Sequence, residues 1–136
     1  MFSTDTRFLV VDDSPTGRDM VKELLSRLGY SNITEAVDGL DAVESLEKSS
    51  NEGKSFNIVI ADWNMPRMNG LDLLVYMKQN PKYNTIPFLM FTAESDVSLV
   101  TLALSSGADE FIVKPVTEEN LLEKLKSIWT KINENP

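Results

Sequence analysis

The sequence predicts a doubly wound α/β fold, a parallel sheet of five strands with helices on both faces. Three observations point there. The apolar runs "FLVV" (8–11), "IVIA" (58–61), "FLMF" (88–91) and "FIV" (111–113) are continuous rather than alternating, as strands covered on both faces are. Helix-patterned stretches fill the intervals, which gives successive βα units with right-handed crossovers. Polar residues follow the carboxyl ends of all four runs, where sheets of this kind bind their ligands.

Taken in order, the first strand ends at Asp12–Asp13, and Ser14 is placed to N-cap a helix with Pro15 at its first position. Met20, Leu24 and Leu28 fall on one face of that helix, and Gly29 ends it. "NITEA" (32–36) is a weaker strand. Asp38 caps a second helix carrying Ala42, Val43 and Leu46, and "KSSNEGKSFN" (48–57) reads as a long polar loop. After the strand at 58–61 comes the turn-rich "DWNMPRMNG" (62–70). Gly70 opens a third helix with Leu71, Leu74 and Met77 or Lys78 inward, closed by "NPKYN" (80–84). A fourth helix is expected from about Asp96 to Ser105, with Gly107 as its stop. The last starts at Thr117, sets Glu118 and Glu119 at its positive end, and buries Leu121, Leu125, Ile128 and Ile132. Trp129 continues that stripe.

With 136 residues the chain is expected to be one domain, residues 1–136 with a core at about 7–132 and no output domain. Its 21 acids against 13 bases give a net charge of -8, a poor match for nucleic acid or an anionic membrane. No apolar run approaches the length of a spanning helix, and no leader pattern opens the chain. A cytoplasmic protein is expected. The absence of both Cys and His removes thiolate nucleophiles, zinc–sulfur sites, imidazole bases and Ser-His-Asp triads. Carboxylate, hydroxyl and Lys chemistry remains, and it suits a hard cation such as Mg²⁺.

One mouth of the sheet therefore collects Asp12, Asp13, Asp62, Thr92 and Lys114. Each has an ordinary reading as a turn, cap or solvated residue. Together they deliver compatible charges from four strand ends. Three crowded carboxylates need compensation, and a divalent ion plus Lys114 would supply it. Oxygen-only ligation favours Mg²⁺ with several waters retained, leaving room for phosphate oxygens. In this reading Asp62 is the nucleophile that becomes an aspartyl phosphate. Asp13 and Asp62 hold the metal, with Asp12 nearby or bonded through water. Lys114 and Thr92 contact the phosphoryl oxygens. With no GxxxxGK[ST] or GxGxxG present, the donor must already carry its phosphate.

The stretches "VVDDS", "ADWNMPRMNG", "MFTAES" and "FIVKP" resemble the motifs of response-regulator receiver domains, and "DWNMP" is similar to the single-domain chemotaxis regulators of that family. The resemblance covers roughly residues 7–132. It implies a flavodoxin-like fold with strand order 2-1-3-4-5 and five helices; that order comes with the resemblance. It implies a phosphorylated switch in two-component signalling, probed by a sensor histidine kinase as phosphodonor and catalysing its own phosphorylation and dephosphorylation without conventional turnover. It makes Asp62 the phosphoacceptor and adds the backbone carbonyl of Asn64 to the metal shell. Lys114–Pro115 is expected to be cis. Asn64 and Glu94 would tune dephosphorylation and give a short-lived phosphorylated form. Thr92 and Phe111 would couple the site to a docking face of the fourth helix, fifth strand and fifth helix. That face would meet a downstream target such as the flagellar motor switch, and the protein would be a monomer.

Three departures from the chemotaxis pattern stand out. Phe111 replaces a usual Tyr, so a ring can fill a pocket but makes no hydroxyl bond. Gly17 stands where Met is common. "SDVS" (95–98) is acidic or neutral where relatives carry lysines, which bears on the motor partner. A phosphorelay shuttle or phosphate sink would use the same residues. A phosphatase of the haloacid dehalogenase type would want an acid two residues after its nucleophile, and Asn64 stands there. A flavodoxin-type cofactor binder would be repelled by Asp12–Asp13. A pure interaction module would not need the site at all.

Overall fold

A computed structural model describes residues 1–93 and 97–134 of the chain. Within these, five strands, β1 Arg7–Val11, β2 Asn32–Ala36, β3 Ile58–Asp62, β4 Phe88–Thr92 and β5 Glu110–Val113, alternate with five helices. The helices are α1 Pro15–Arg27, α2 Gly39–Asn51, α3 Gly70–Lys78, α4 Val97–Ser105 and α5 Glu118–Glu134. All strand pairings are parallel, in the order β2-β1-β3-β4-β5. The chain therefore winds one way from β1 to β2 and returns past β1 to β3, and the reversal falls between β1 and β3.

Alternation along each strand feeds two cores. Leu9, Val11, Val59, Ala61, Phe88 and Met90 face one side and pack with Ala42, Leu46, Leu73, Leu74, Met77 and Ala103 of α2, α3 and α4. Phe8, Val10, Ile58, Ile60, Leu89 and Phe91 face the other and pack with Val21, Leu25, Leu121, Leu125 and Ile128 of α1 and α5. Runs without polar breaks are the sequence's way of filling both faces at once. The edge strand β2 has one buried residue, Ala36, which is why its pattern is faint.

Local chemistry sets the helix starts. Ser14 accepts the Gly17 N–H and Pro15 follows at the first position of α1. Asp38 accepts from Asp41 at the start of α2, and Asn69 from Asp72 at the start of α3. Gly29 and Gly107 take positive φ just beyond α1 and α4, as their stop roles require.

Four expectations are corrected. The α2 helix runs on to Asn51, so the long loop shortens. Its buried stripe continues from Ala42 and Leu46 to Ser49, whose hydroxyl donates to the Leu46 carbonyl at 3.0 Å. Met20 is exposed, because the inward stripe of α1 is Val21, Leu24 and Leu25. In α3, Leu73 joins Leu74 and Met77 inside, while Leu71 is half-buried. Ile132 is exposed, since burial on α5 stops at Ile128. The expected start of the fourth helix at Asp96 lies outside the described residues. Among the described residues no helix is long and apolar enough to cross a membrane.

Candidate functional site

The reversal point between β1 and β3 gathers the acids. Asp12 follows β1, held by its amide, which donates to the Ala36 carbonyl at 3.1 Å. Asp62 closes β3 and is 8% exposed. Carboxylate oxygens of Asp12, Asp13 and Asp62 lie within 4.8 Å of one another, Asp12 and Asp62 buried and Asp13 exposed. The expected trio is thus brought together.

Lys114 joins it from the end of β5. Its amide donates to the Thr92 carbonyl at 2.7 Å, and its ammonium lies 3.1 Å from Asp62 Oδ2. The peptide bond that follows, Lys114–Pro115, is cis, as expected. Thr92 is the last residue of β4 and is buried. Four strand ends therefore supply the polar groups of one mouth.

The surroundings fix the acids. One Asp12 oxygen, Oδ1, accepts the Ser14 N–H at 2.9 Å, and Arg18 Nη1 donates to the Asp12 carbonyl at 2.7 Å. Burial pushes the Asp12 carboxyl above its ordinary value of 3.8; the Ser14 amide works against this, and the charge of Asp62 adds to it. Isolated from any counter-ion, such a cluster repels itself. The Asp62 end is pinned by Trp63 N–H donating to the Phe91 carbonyl and Gly70 N–H donating to the Trp63 carbonyl, both at 2.9 Å. A β-carbon at Gly70 would strike the Asp62 carbonyl oxygen, so only glycine lets α3 start this close to β3.

The donor set fits a hard divalent ion. It is all oxygen, it carries three formal negative charges, and one of the three carboxylates is open to solvent. Asn64 is exposed in the loop two residues beyond Asp62. Beside the acids, a cavity of about 350 Å³ opens between Gly17, Met20 and Val21 of α1 and the Lys114–Val116 segment. Trp63 is half-buried and packs on the core under α2 and α3.

Phe111 lies apart from the mouth, in the middle of β5 opposite Met90. It is half-buried, and Lys124 of α5 sits 5.2 Å from its ring centroid. Glu94 lies outside the described residues. Two residues that sequence reasoning missed are Arg18, which anchors the Asp12 carbonyl and pairs with Glu35 at 3.2 Å, and Arg67, which pairs with Asp38. For Arg18 a signal existed: it sits one turn into α1, directly above the acids. For Arg67 no local pattern pointed to a partner 29 residues away.

Comparison with known proteins follows the geometry. The family described as response regulator receiver domain matches residues 8–126. Chemotaxis protein CheY1 of Helicobacter pylori is 42% identical over 122 residues, 90% of this chain and 95% of that protein. The solved structure of chemotaxis protein CheY4 of Vibrio cholerae superposes with a TM-score of 0.79 at 32% identity, covering 90% of this chain and 98% of that one. A CheX–CheY–BeF3–Mg²⁺ complex from Borrelia burgdorferi matches with a TM-score of 0.80 at 28% identity, covering 91% of this chain and 89% of that one.

Proposed function

The chain belongs to the response regulator receiver domain family, and on that premise we propose that it is a phosphoacceptor switch working in chemotaxis or motility. Its donor is the phosphohistidine of a sensor histidine kinase, its acceptor is Asp62, and its output is a docking face made by α4, β5 and α5. The observation that carries this reading is the buried Asp62 carboxylate at the strand reversal, with Lys114 3.1 Å away and two further acids within 4.8 Å.

An Asp62 oxygen attacks phosphorus. The new O–P bond forms as the N–P bond of phosphohistidine breaks, and the imidazole nitrogen leaves with the electron pair. Lys114 stands beside the acceptor and meets the charge of the arriving oxygens. Thr92 donates its hydroxyl to one of them. Asp13, Asp62 and the Asn64 carbonyl would hold magnesium, with Asp12 bonded through water. When bound, Mg²⁺ supplies positive charge against the oxygens of the transferring group. The Mg²⁺ in the Borrelia complex and the oxygen-only donor set here support that choice.

Movement of Thr92 toward the phosphoryl group draws the end of β4 inward and makes room for Phe111 to turn in. The ligand shifts this balance only by binding one state better than the other. The target is a partner protein such as the flagellar motor switch, in keeping with the chemotaxis relatives. Asn64 and Glu94 shorten the life of the phosphorylated form. The protein acts as a cytoplasmic monomer.

The test is phosphotransfer from a phosphorylated histidine kinase followed by intact-mass measurement. Wild type gains one phosphoryl group in a Mg²⁺-dependent reaction, and Asp62→Asn gains none. A wild type left unmodified by every active kinase tried, or an Asp62→Asn protein modified equally, overturns the reading.

A further inference from the structure

Helix propensity gives no reason for a glycine at position 17. It is the third residue of α1, where alanine favours the helix, and it is not among the residues of positive φ. What fills the place of its missing side chain is the Asp12 carboxylate. A β-carbon at position 17 would collide with Asp12 Oδ2 and stand 3.1 Å from Asp12 Cγ. The other oxygen of the same carboxylate accepts the Ser14 N–H at 2.9 Å. The backbone behind it is held through the Asp12 carbonyl by Arg18.

We propose that Gly17 is a positioning residue for the acidic cluster: its bare backbone is the seat in which the Asp12 carboxylate rests beside Asp13 and Asp62. The proposal rests on the reading of that cluster as a magnesium site. The atom that a new side chain would meet is the tip of Asp12, not backbone. Gly17→Ala therefore folds, and the carboxylate turns out of its seat, giving up the Ser14 amide. Two effects of opposite sign follow. The helix gains stability, because alanine replaces glycine in its first turn, while the metal site loses one of its three placed carboxylates. General damage to the fold would move both the same way.

The test uses the full chain and Mg²⁺ itself, with backbone amide resonances followed by NMR and urea unfolding alongside. In Gly17→Ala, Mg²⁺ affinity falls about tenfold, the size seen when support behind a metal ligand is removed. The urea midpoint rises, and the metal-free Ser14 amide resonance moves in the same direction as in Asp12→Ala. Unchanged Mg²⁺ affinity in Gly17→Ala overturns the proposal, as does a Ser14 amide left in place. A wild type whose Asp12, Asp13 and Asp62 resonances ignore Mg²⁺ overturns the magnesium reading beneath it. A wild type that responds while Gly17→Ala responds equally leaves that reading standing and removes Gly17 alone.

Discussion

Arg67 donates from Nε to Asp38 Oδ2 at 2.7 Å, with its own backbone at φ 64°. The pair ties the loop that leaves β3 to the first turn of α2. Asp38 meanwhile accepts the Asp41 N–H at 2.9 Å as helix cap, and the Gly39 amide donates to the Met68 carbonyl at 2.9 Å. The loop carrying Trp63 and Asn64 is thereby held at both ends. Asp38→Ala removes cap and tether together and is expected to lower stability by about 1–2 kcal/mol. Arg67→Gly loses the tether but relieves a left-handed backbone that favours glycine, so its change is smaller. Urea unfolding of the two variants checks the order.

Acid should loosen the same region. Hydrogen bonding from Arg67 holds the Asp38 carboxyl below its ordinary value of 3.8. Lys22, helped by Arg18, holds Glu35 below 4.5. Both groups bind protons more readily in the unfolded chain. Their stabilisation is complete above those ordinary values and is lost as pH falls through the lowered folded ones. Urea midpoints at about pH 6 and about pH 3 should differ less in Asp38→Asn than in wild type.

Lys114→Ala separates two roles of one cation. Its ammonium repels a divalent ion, so Mg²⁺ affinity should rise roughly fivefold, equivalent to about 1 kcal/mol for charges in a partly solvated mouth. Phosphoryl acceptance should fall, because the arriving oxygens lose their lysine. Titration of Mg²⁺ and phosphotransfer rates, measured on one preparation, read the two opposite changes.

Thr92→Ala should accept phosphate and fail to report it. The residue closes β4, and its carbonyl is bonded to the Lys114 amide, so the acceptor and its lysine stay in place without the hydroxyl. Affinity for the target, measured by calorimetry, should be alike for the phosphorylated and unphosphorylated mutant. A phosphorylated mutant that binds as tightly as phosphorylated wild type refutes the coupling.

The mouth was legible because each apolar run stops against a polar residue, and in this topology such stops share one edge. Asp62 and Thr92 prove to be the last residues of their strands rather than the first beyond them, a shift of one that leaves the site unchanged. Buried serine was not legible: Ser49 extends the inward stripe of α2 because its hydroxyl bonds to its own helix. The signal that could have set the end of α2 was Gly53, which takes φ 70° just past the C-cap Glu52. Met20 and Ile132 illustrate a different limit. Periodicity names a stripe, but where the sheet runs out decides which of its members are covered. Ion pairs such as Arg67–Asp38 depend on a loop conformation that no spacing rule specifies.

The α4 helix touches the interior through one fully buried residue, Ala103, whereas α5 sinks three, Leu121, Leu125 and Ile128. A helix with so small a foothold gives up little packing when it slides or rolls, so its position is decided by faint pushes. Its outward Val97, Leu102 and Leu104 carry no charge to anchor them in water. Of all the pieces around the sheet, α4 is the one whose relocation asks least of the rest of the molecule.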